Sequence, residues 1–301
     1  MADLPSIRLN PSPSFQHTAC DLFGPFNVRI KRMTTMKVWG VIFTCLATRA
    51  VYCDIALDYS AQEFIQTFRR FLSVRGKPDS MLSDNGSQLV AAQKEIWVWC
   101  ANREISWQFI TPLAPHQNGC AEALVKSVKR NLKIVIGEQV LAPFELQTII
   151  FEVANLVNER PIGVNSSDPN DGSYICPNGI SLGRASDDAP HGPFAETRNP
   201  RHRVEYCQKI VDAWWKKWYR DVFPHLAPRR KWNTAKRDVK VGDIVLLHEP
   251  NPIRSKWCKG RISHVFPSDD GLIRNVEVKT VTGSYQRAIT RIAVLLPVEE
   301  Q

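Results

Sequence analysis

Ser80-Met-Leu-Ser-Asp-Asn-Gly-Ser-Gln88 is the stretch that decides how this chain folds. The run through Met81 and Leu82 is too short for a helix, and Asp84-Asn-Gly86 stops it with turn residues. Ser80–Ser83 therefore reads as a short buried strand that delivers Asp84 at its end. Immediately upstream, Gly76-Lys-Pro78 ends a helix opened by the capping box Ser60-Ala-Gln-Glu63, with Phe64, Ile65, Phe68, Phe71 and Leu72 at helical spacing. Further out, Lys37–Ala47 and Ala50–Leu57 are β-branched and aromatic runs parted by the turn Thr48-Arg49, and Phe15–Phe23 reads as a first strand carrying Asp21. Strands, a helix and another strand in that order predict an α/β chain.

Downstream of Asp84 come a helix-like run around Ile96–Trp99, a strand-like Ile105–Ile110, and the turn-rich Thr111-Pro-Leu-Ala-Pro-His-Gln-Asn-Gly119. A helix then begins at Gly119. Ala121, Leu124, Val125, Val128, Leu132 and Val135 make its apolar stripe, while Glu122, Lys126, Lys129 and Lys133 recur at i, i+4, i+7 and i+11 on another face. Periodicity alone makes this an ordinary amphipathic helix with a Glu-to-Lys ladder. Asp21, Asp84 and Glu122 taken together point further. Carboxylates gathered in one pocket repel one another unless cations neutralise them, and two Mg²⁺ about 3.5–4 Å apart clamp the attacking and leaving oxygens of a phosphodiester.

The order of these acids resembles the catalytic core of retroviral and retrotransposon integrases, most of all those of the BEL/Pao class. Asp21-Leu-Phe-Gly-Pro-Phe26, Ser83-Asp-Asn-Gly-Ser87, Ala114-Pro-His116, Val125-Lys-Ser-Val-Lys-Arg130 and Asn158-Glu-Arg-Pro161 carry the likeness. Beyond the core, Arg229-Arg-Lys-Trp232 and Val241-Gly-Asp-Ile-Val245 resemble the module that follows it in those polyproteins. The resemblance implies a ribonuclease-H-like mixed five-stranded sheet flanked by helices, with Asp21 and Asp84 on neighbouring central strands. It further implies Asp21, Asp84 and Glu122 as catalytic residues and as ligands of two Mg²⁺ (or Mn²⁺). Lys126 and Lys129 match positions that contact the element's DNA ends, Lys133 extends their strip, and Asn118 matches a loop position near the scissile end. The implied partners are double-stranded DNA and further copies of the chain, inside the cell and, at the point of action, in the nucleus. A catalytically silent, domesticated copy that binds DNA or acts as a scaffold is the rival reading. A ribonuclease H is a weaker one, since those enzymes lack the Ala-Pro-His-Gln-Asn-Gly loop.

Asn85, Gln88 and His116 are secondary candidates, each as readily a turn or loop residue. Asp54, an acid on the third strand, is set aside on alternation and on family position. The eight cysteines form no Cys-x-x-Cys pair and no His pair has zinc spacing, so no zinc is expected in this chain. The His/His/Cys/Cys module with which such integrases begin is expected upstream, or missing from a fragment. No apolar stretch approaches the roughly 18 residues a membrane span needs.

Leu146, Ile149, Ile150, Val153, Leu156 and Val157 predict a buried stripe on a helix over Phe144–Arg160, stopped by Pro161. Ile162–Asn199 is mostly loop, although Tyr174–Arg184 resembles the closing segment of retrotransposon cores. Val204, Cys207, Val211, Trp214 and Trp218 then predict a linking helix with Lys216, Lys217 and Arg220 outside. Its tryptophans are read as a packed face in preference to a platform for bases. Strands at Ile244–His248, Arg261–Phe266, Asn275–Val281 and Tyr285–Ile289 predict a small antiparallel barrel, similar to the C-terminal DNA-binding barrel of integrases. Lys256, Lys259 and Arg261, with Arg274, Lys279, Arg287 and Arg291, are expected on its charged surface. The expected division is a lead-in over 1–14, a core over 15–190, a basic linking helix over 191–232 and the barrel over 233–301. Residues 1–190 hold 18 Lys and Arg against 18 Asp and Glu, so the whole formal charge of +9 lies in residues 191–301. Such an imbalance suits a polyanion.

Overall fold

A computed structural model describes residues 10–83, 93–109, 119–184, 203–226 and 237–300. Strands β1 (His17–Lys31), β2 (Thr34–Cys45) and β3 (Val51–Ala56) form an antiparallel meander. Helix α1 (Ala61–Arg75) follows, its first turn capped by the Ser60 hydroxyl, which accepts from the Glu63 N–H at 3.2 Å. Strand β4 (Ser80–Ser83) lies parallel to β1, and β5 (Ser106–Phe109), reached through α2 (Gln93–Ala101), lies parallel to β4. The strand order β3-β2-β1-β4-β5 is the ribonuclease-H-like sheet, with β1 and β4 side by side.

Alternation along β1 assigns the two faces of this sheet. Cys20 joins Phe43, Phe64, Phe68, Phe71 and Trp107 in the core between the sheet and α1. Ala19 and Phe23 face the other way, into a core shared with α3 (Gly119–Ile136), α4 (Pro143–Asn158) and α6 (Arg203–Leu226). Asp21, two residues from each, belongs to that second face. β1 outruns its predicted end at Phe23. Gly24 and Pro25 fall in a bulge where the β1–β2 pairing jumps from Phe23 to Phe26, a place where a proline without an N–H is tolerated, and the strand then resumes.

The short helix α5 (Pro177–Leu182) closes the first region, with Cys176 as its N-cap. The Asn158-Glu-Arg160 block does structural work here. Asn158 bonds both the N–H and the C=O of Val51 at 2.8 Å, Glu159 accepts from Asn178, and Arg160 donates to the carbonyls of Val157 and Arg49.

α6 is packed on both sides along its length. Trp214, Trp215 and Trp218 are each 0% exposed and Tyr219 2%, inside one core that contains α3 and α4 residues together with Leu246, Trp257 and Ala293 from the C-terminal region. These indoles are a packed face and are closed to bases. Val204, expected in the stripe, is exposed instead, because the buried face turns toward Trp215 and Tyr219. Arg254, 1% exposed, ties the same joint by donating to the side chain and carbonyl of Gln208 at 2.9 and 3.0 Å.

The C-terminal region is a second five-stranded sheet, antiparallel throughout, in the order β10-β6-β7-β8-β9. Its strands are β6 (Ile244–Leu247), β7 (Cys258–Pro267), β8 (Ile273–Thr280), β9 (Gly283–Ala288) and β10 (Ile292–Leu296). Of the expected barrel the structure gives five antiparallel strands, with β10 and β9 at the two ends of the order and, among the described residues, no ladder joining them. β10 itself was not anticipated. One face packs on α6 through Leu246 and Ala293, and the other holds its own small core of Val245, Leu247, Ile262, Val276, Val278 and Ile292. The Val241-Gly-Asp243 block is the clasp of this sheet. Asp243, with its side chain 0% exposed, accepts from the Arg237 guanidinium and from the N–H groups of Lys240 and Val298.

Candidate active site

Asp21 stands on the central strand β1, on the face turned toward α3. Lys129 of that helix reaches across and donates both to the Asp21 carboxylate and, at 3.0 Å, to the carbonyl of Leu22. The pair is half-buried, 23% exposed for Lys129 and 32% for Asp21. Phe23 backs it, with the ammonium 6.0 Å from the ring centroid. That ring can lie there because its cross-strand partner is glycine: a Cβ on Gly40 would come within 2.2 Å of it.

β4 ends against this point. Ser83 pairs with Cys20 in the parallel ladder, so β4 stops in register one residue short of Asp21. The Ser83 hydroxyl accepts from the Trp107 indole at 2.9 Å, which fixes the strand end from the α1 side, while Leu82 packs on the α3 side, the face of Asp21. Asp84 itself lies outside the described residues, as do Asn85, Gln88, His116 and Asn118.

Of Glu122 only the backbone is described, in the first turn of α3. It precedes Lys129 by seven positions, two helical turns, so the helix carries both positions on one face about 10 Å apart along the axis. Lys126 and Lys133 share that face and are exposed, whereas Val125, Val128 and Leu132 are buried as the stripe predicts. Among the described residues no group of three or more His, Cys, Asp or Glu is gathered as for a metal ion. Asp54 is engaged elsewhere, on the outer strand β3. Its carboxylate is 0% exposed and accepts from Arg70 at 2.6 Å, from Gln147 at 2.7 Å and from the Ile55 N–H at 2.8 Å.

In the C-terminal sheet the predicted cations part company. Lys256 is exposed in the loop before β7, and Arg261 is half-buried on β7. Lys259 is corrected from a surface contact to a buried residue, 4% exposed, because its position on β7 faces the core region and its ammonium donates to the Ser166 carbonyl at 3.0 Å. Burial pulls the Lys259 ammonium below its ordinary pKa, while Asp171 and Asp168 nearby act to raise it. Arg274 and Arg287 pair with Asp270 and Glu249, and Arg291 lies 3.2 Å from the His248 ring. Sequence reasoning missed Arg130 with Asp221 and Arg203 with Glu145, the ion pairs that bind α6 to α3 and α4. Nothing in either pair's spacing reveals a contact made across separate helices.

Residues 202–295 match the model of a family of unknown function, DUF5641. No curated protein matches the chain. Among solved structures the chain is similar to the simian T-cell lymphotropic virus intasome in complex with PP2A regulatory subunit B56 gamma, with 11% identity and a TM-score of 0.43 over 94% of this chain and 80% of that one. It is similar to the HTLV-2 integrase catalytic core domain in complex with magnesium, with 16% identity and a TM-score of 0.39 over 56% of this chain and 97% of that one. The catalytic core domain of BIV integrase gives 15% identity and a TM-score of 0.39 over 56% and 95%.

Proposed function

We propose that this chain is a polynucleotidyl transferase of the integrase class, acting on the DNA ends of a BEL/Pao-type retrotransposon. The observation that carries the reading is the meeting of β1 and β4: Cys20 and Ser83 are paired, and each immediately precedes an aspartate. Paired parallel strands lie about 4.8 Å apart, so the residues that precede the two aspartates in sequence are immediate neighbours across the ladder, which supports a shared site. α3, whose first turn carries position 122, packs on the sheet face that holds Asp21, which supports Glu122 as the third acid.

The donor set suits hard divalent cations, which prefer carboxylate oxygen. Lys129 supports that assignment, since its ammonium already occupies the Asp21 carboxylate as a neutralising cation. Asp21, Asp84 and Glu122 would hold two Mg²⁺ (or Mn²⁺), which when bound supply activation of the attacking oxygen and stabilisation of the leaving one. The chemistry needs no protein nucleophile. Water displaces an ester oxygen of the element's phosphodiester and leaves a 3′-hydroxyl, and that hydroxyl then displaces an ester oxygen of the target strand. The chain's own share is positioning. Lys129 orients Asp21, and Lys126 and Lys133 offer exposed charge to the phosphates of duplex DNA. The reading includes a homo-oligomer working in the nucleus.

Strand-transfer assays on element-end oligonucleotides test it. Asp84→Asn should abolish the reaction yet keep DNA affinity, because it removes a metal ligand and no phosphate contact. An active Asp84→Asn protein, or full activity in EDTA, overturns the mechanism. Strong DNA binding by an inactive wild type would favour the silent, domesticated copy.

A further inference from the structure

On the strands of the C-terminal sheet, four basic side chains have a polar partner. Lys259 has the Ser166 carbonyl, His264 has Glu277, Arg274 has Asp270 and Arg287 has Glu249. Arg261 and Lys279 make no ion pair with any described residue. They are also directly opposed, Arg261 on β7 against Lys279 on β8, on one face of the sheet. Like charges in that register repel, and a sheet does not gain stability from them.

Two acids beside them are engaged elsewhere. Glu277, the nearest acid along β8, is turned to Ser263 at 2.9 Å and His264 at 2.8 Å, while Asp243 is held by Arg237. Arg261 and Lys279 instead line a notch of about 300 Å³ whose walls are Pro169, Val241, Gly242 and Val298. Gly242 has φ +99°, and a Cβ there would meet the Val298 side chain at 2.8 Å and stand 3.6 Å from the Arg261 guanidinium. A side chain at position 242 would therefore crowd the notch beside its cation.

We propose that Arg261 and Lys279 form a clamp for one phosphate group of a nucleic-acid backbone. A planar guanidinium offers a fork of donors, the opposed ammonium a point charge, and a tetrahedral oxyanion between them turns a repulsion into two attractions. The source is taken as DNA because the chain's excess of 21 cations over 12 acids lies in residues 191–301. The inference thus rests on the nucleic-acid reading above and adds to it a defined site outside the acids.

The test uses the full chain and a labelled duplex of random sequence, with affinity measured by anisotropy across a potassium chloride series. Replacing both residues in Arg261→Gln/Lys279→Gln should lower the slope of log K against log salt by about 0.9, the value for one phosphate. Arg274→Gln, whose partner is Asp270, should keep the wild-type slope. The melting temperature of the double variant in phosphate-free buffer should equal or exceed wild type, since a repulsion is relieved, so lost binding will not reflect lost folding. Inorganic phosphate should raise the melting temperature of wild type and leave the double variant unmoved. Equal slopes for wild type and double variant overturn the clamp even if inorganic phosphate stabilises the wild type, which would make the site one for free anions. A fall of about 1.8 also overturns it, because two separate phosphates would then be engaged. A wild type without DNA affinity refutes both the clamp and the reading beneath it.

Discussion

Trp218→Ala tests whether the two sheets unfold as one body. Trp218 is 0% exposed, stacks on Trp214 with ring centroids 5.3 Å apart, meets Trp257 edge-on at 6.2 Å and donates to the Ser127 hydroxyl at 3.2 Å. Its indole therefore touches α3, α6 and the loop before β7 at once. Truncating a buried tryptophan to alanine costs about 3–5 kcal/mol. Unfolding entropy of roughly 2.1 cal/mol/K per residue gives about 0.6 kcal/mol/K over 301 residues, so the melting temperature should fall by about 5–8 °C. Calorimetry should show a single transition in wild type and variant alike, with calorimetric and van't Hoff enthalpies in agreement. Val204→Ala on the same helix, at a residue 77% exposed, should change little. Two resolved transitions in wild type, or a Trp218→Ala shift confined to one of two, would refute the shared core; Trp218→Phe gives a milder variant if alanine prevents folding.

Two further outcomes follow from buried charge. Burial pushes the Asp243 carboxyl up, yet Arg237 and two N–H groups together hold it below the ordinary carboxylate range. A depressed folded pKa contributes stability above the unfolded value of about 3.9 and loses it as pH falls through the folded one, so Asp243→Asn should be less stable than wild type at pH 7 and converge with it under strong acid. A gap in urea midpoints that stays constant from neutral pH to pH 3 would count against the clasp. Lys259→Met should keep the wild-type salt slope for DNA, since the ammonium is inside; a slope lowered by about 0.9 would return Lys259 to the interface.

The first sheet was legible because its signals are local. Ser80–Ser83 matches its predicted bounds, and the Ser60 cap lies within a turn of the residues that announce it. The central place of Asp21's strand came from the family resemblance, and β1 does lie between β2 and β4. β1 ran past its predicted end because Gly24-Pro25 reads as a stop, whereas a bulge absorbs the missing N–H. Closure of a barrel is a long-range pairing that strand spacing does not encode, and among the described residues no ladder closes the second sheet. Ile292–Leu296 escaped notice as a short run after a string of turns. Lys259 and Lys256 look alike in sequence, and only the strand phase at β7, together with Ser166 ninety-three positions earlier, decides that one is buried. The candidate site is split in the same way: Asp21 follows from its strand, whereas the Lys129 contact to it spans 108 positions and is a product of packing.

The outer strand β3 carries a consequence for how this protein behaves when concentrated. An unpaired strand edge is a template on which another chain can add a strand. Here Asn158 occupies both backbone groups of Val51, the Asp54 carboxylate takes the Ile55 N–H, and Thr67 and Arg70 take the Ile55 carbonyl. Side chains from two helices thus mimic a neighbouring strand and leave an incoming one little to bind. Strand-to-strand aggregation along this border must wait until the end of α4 has peeled away.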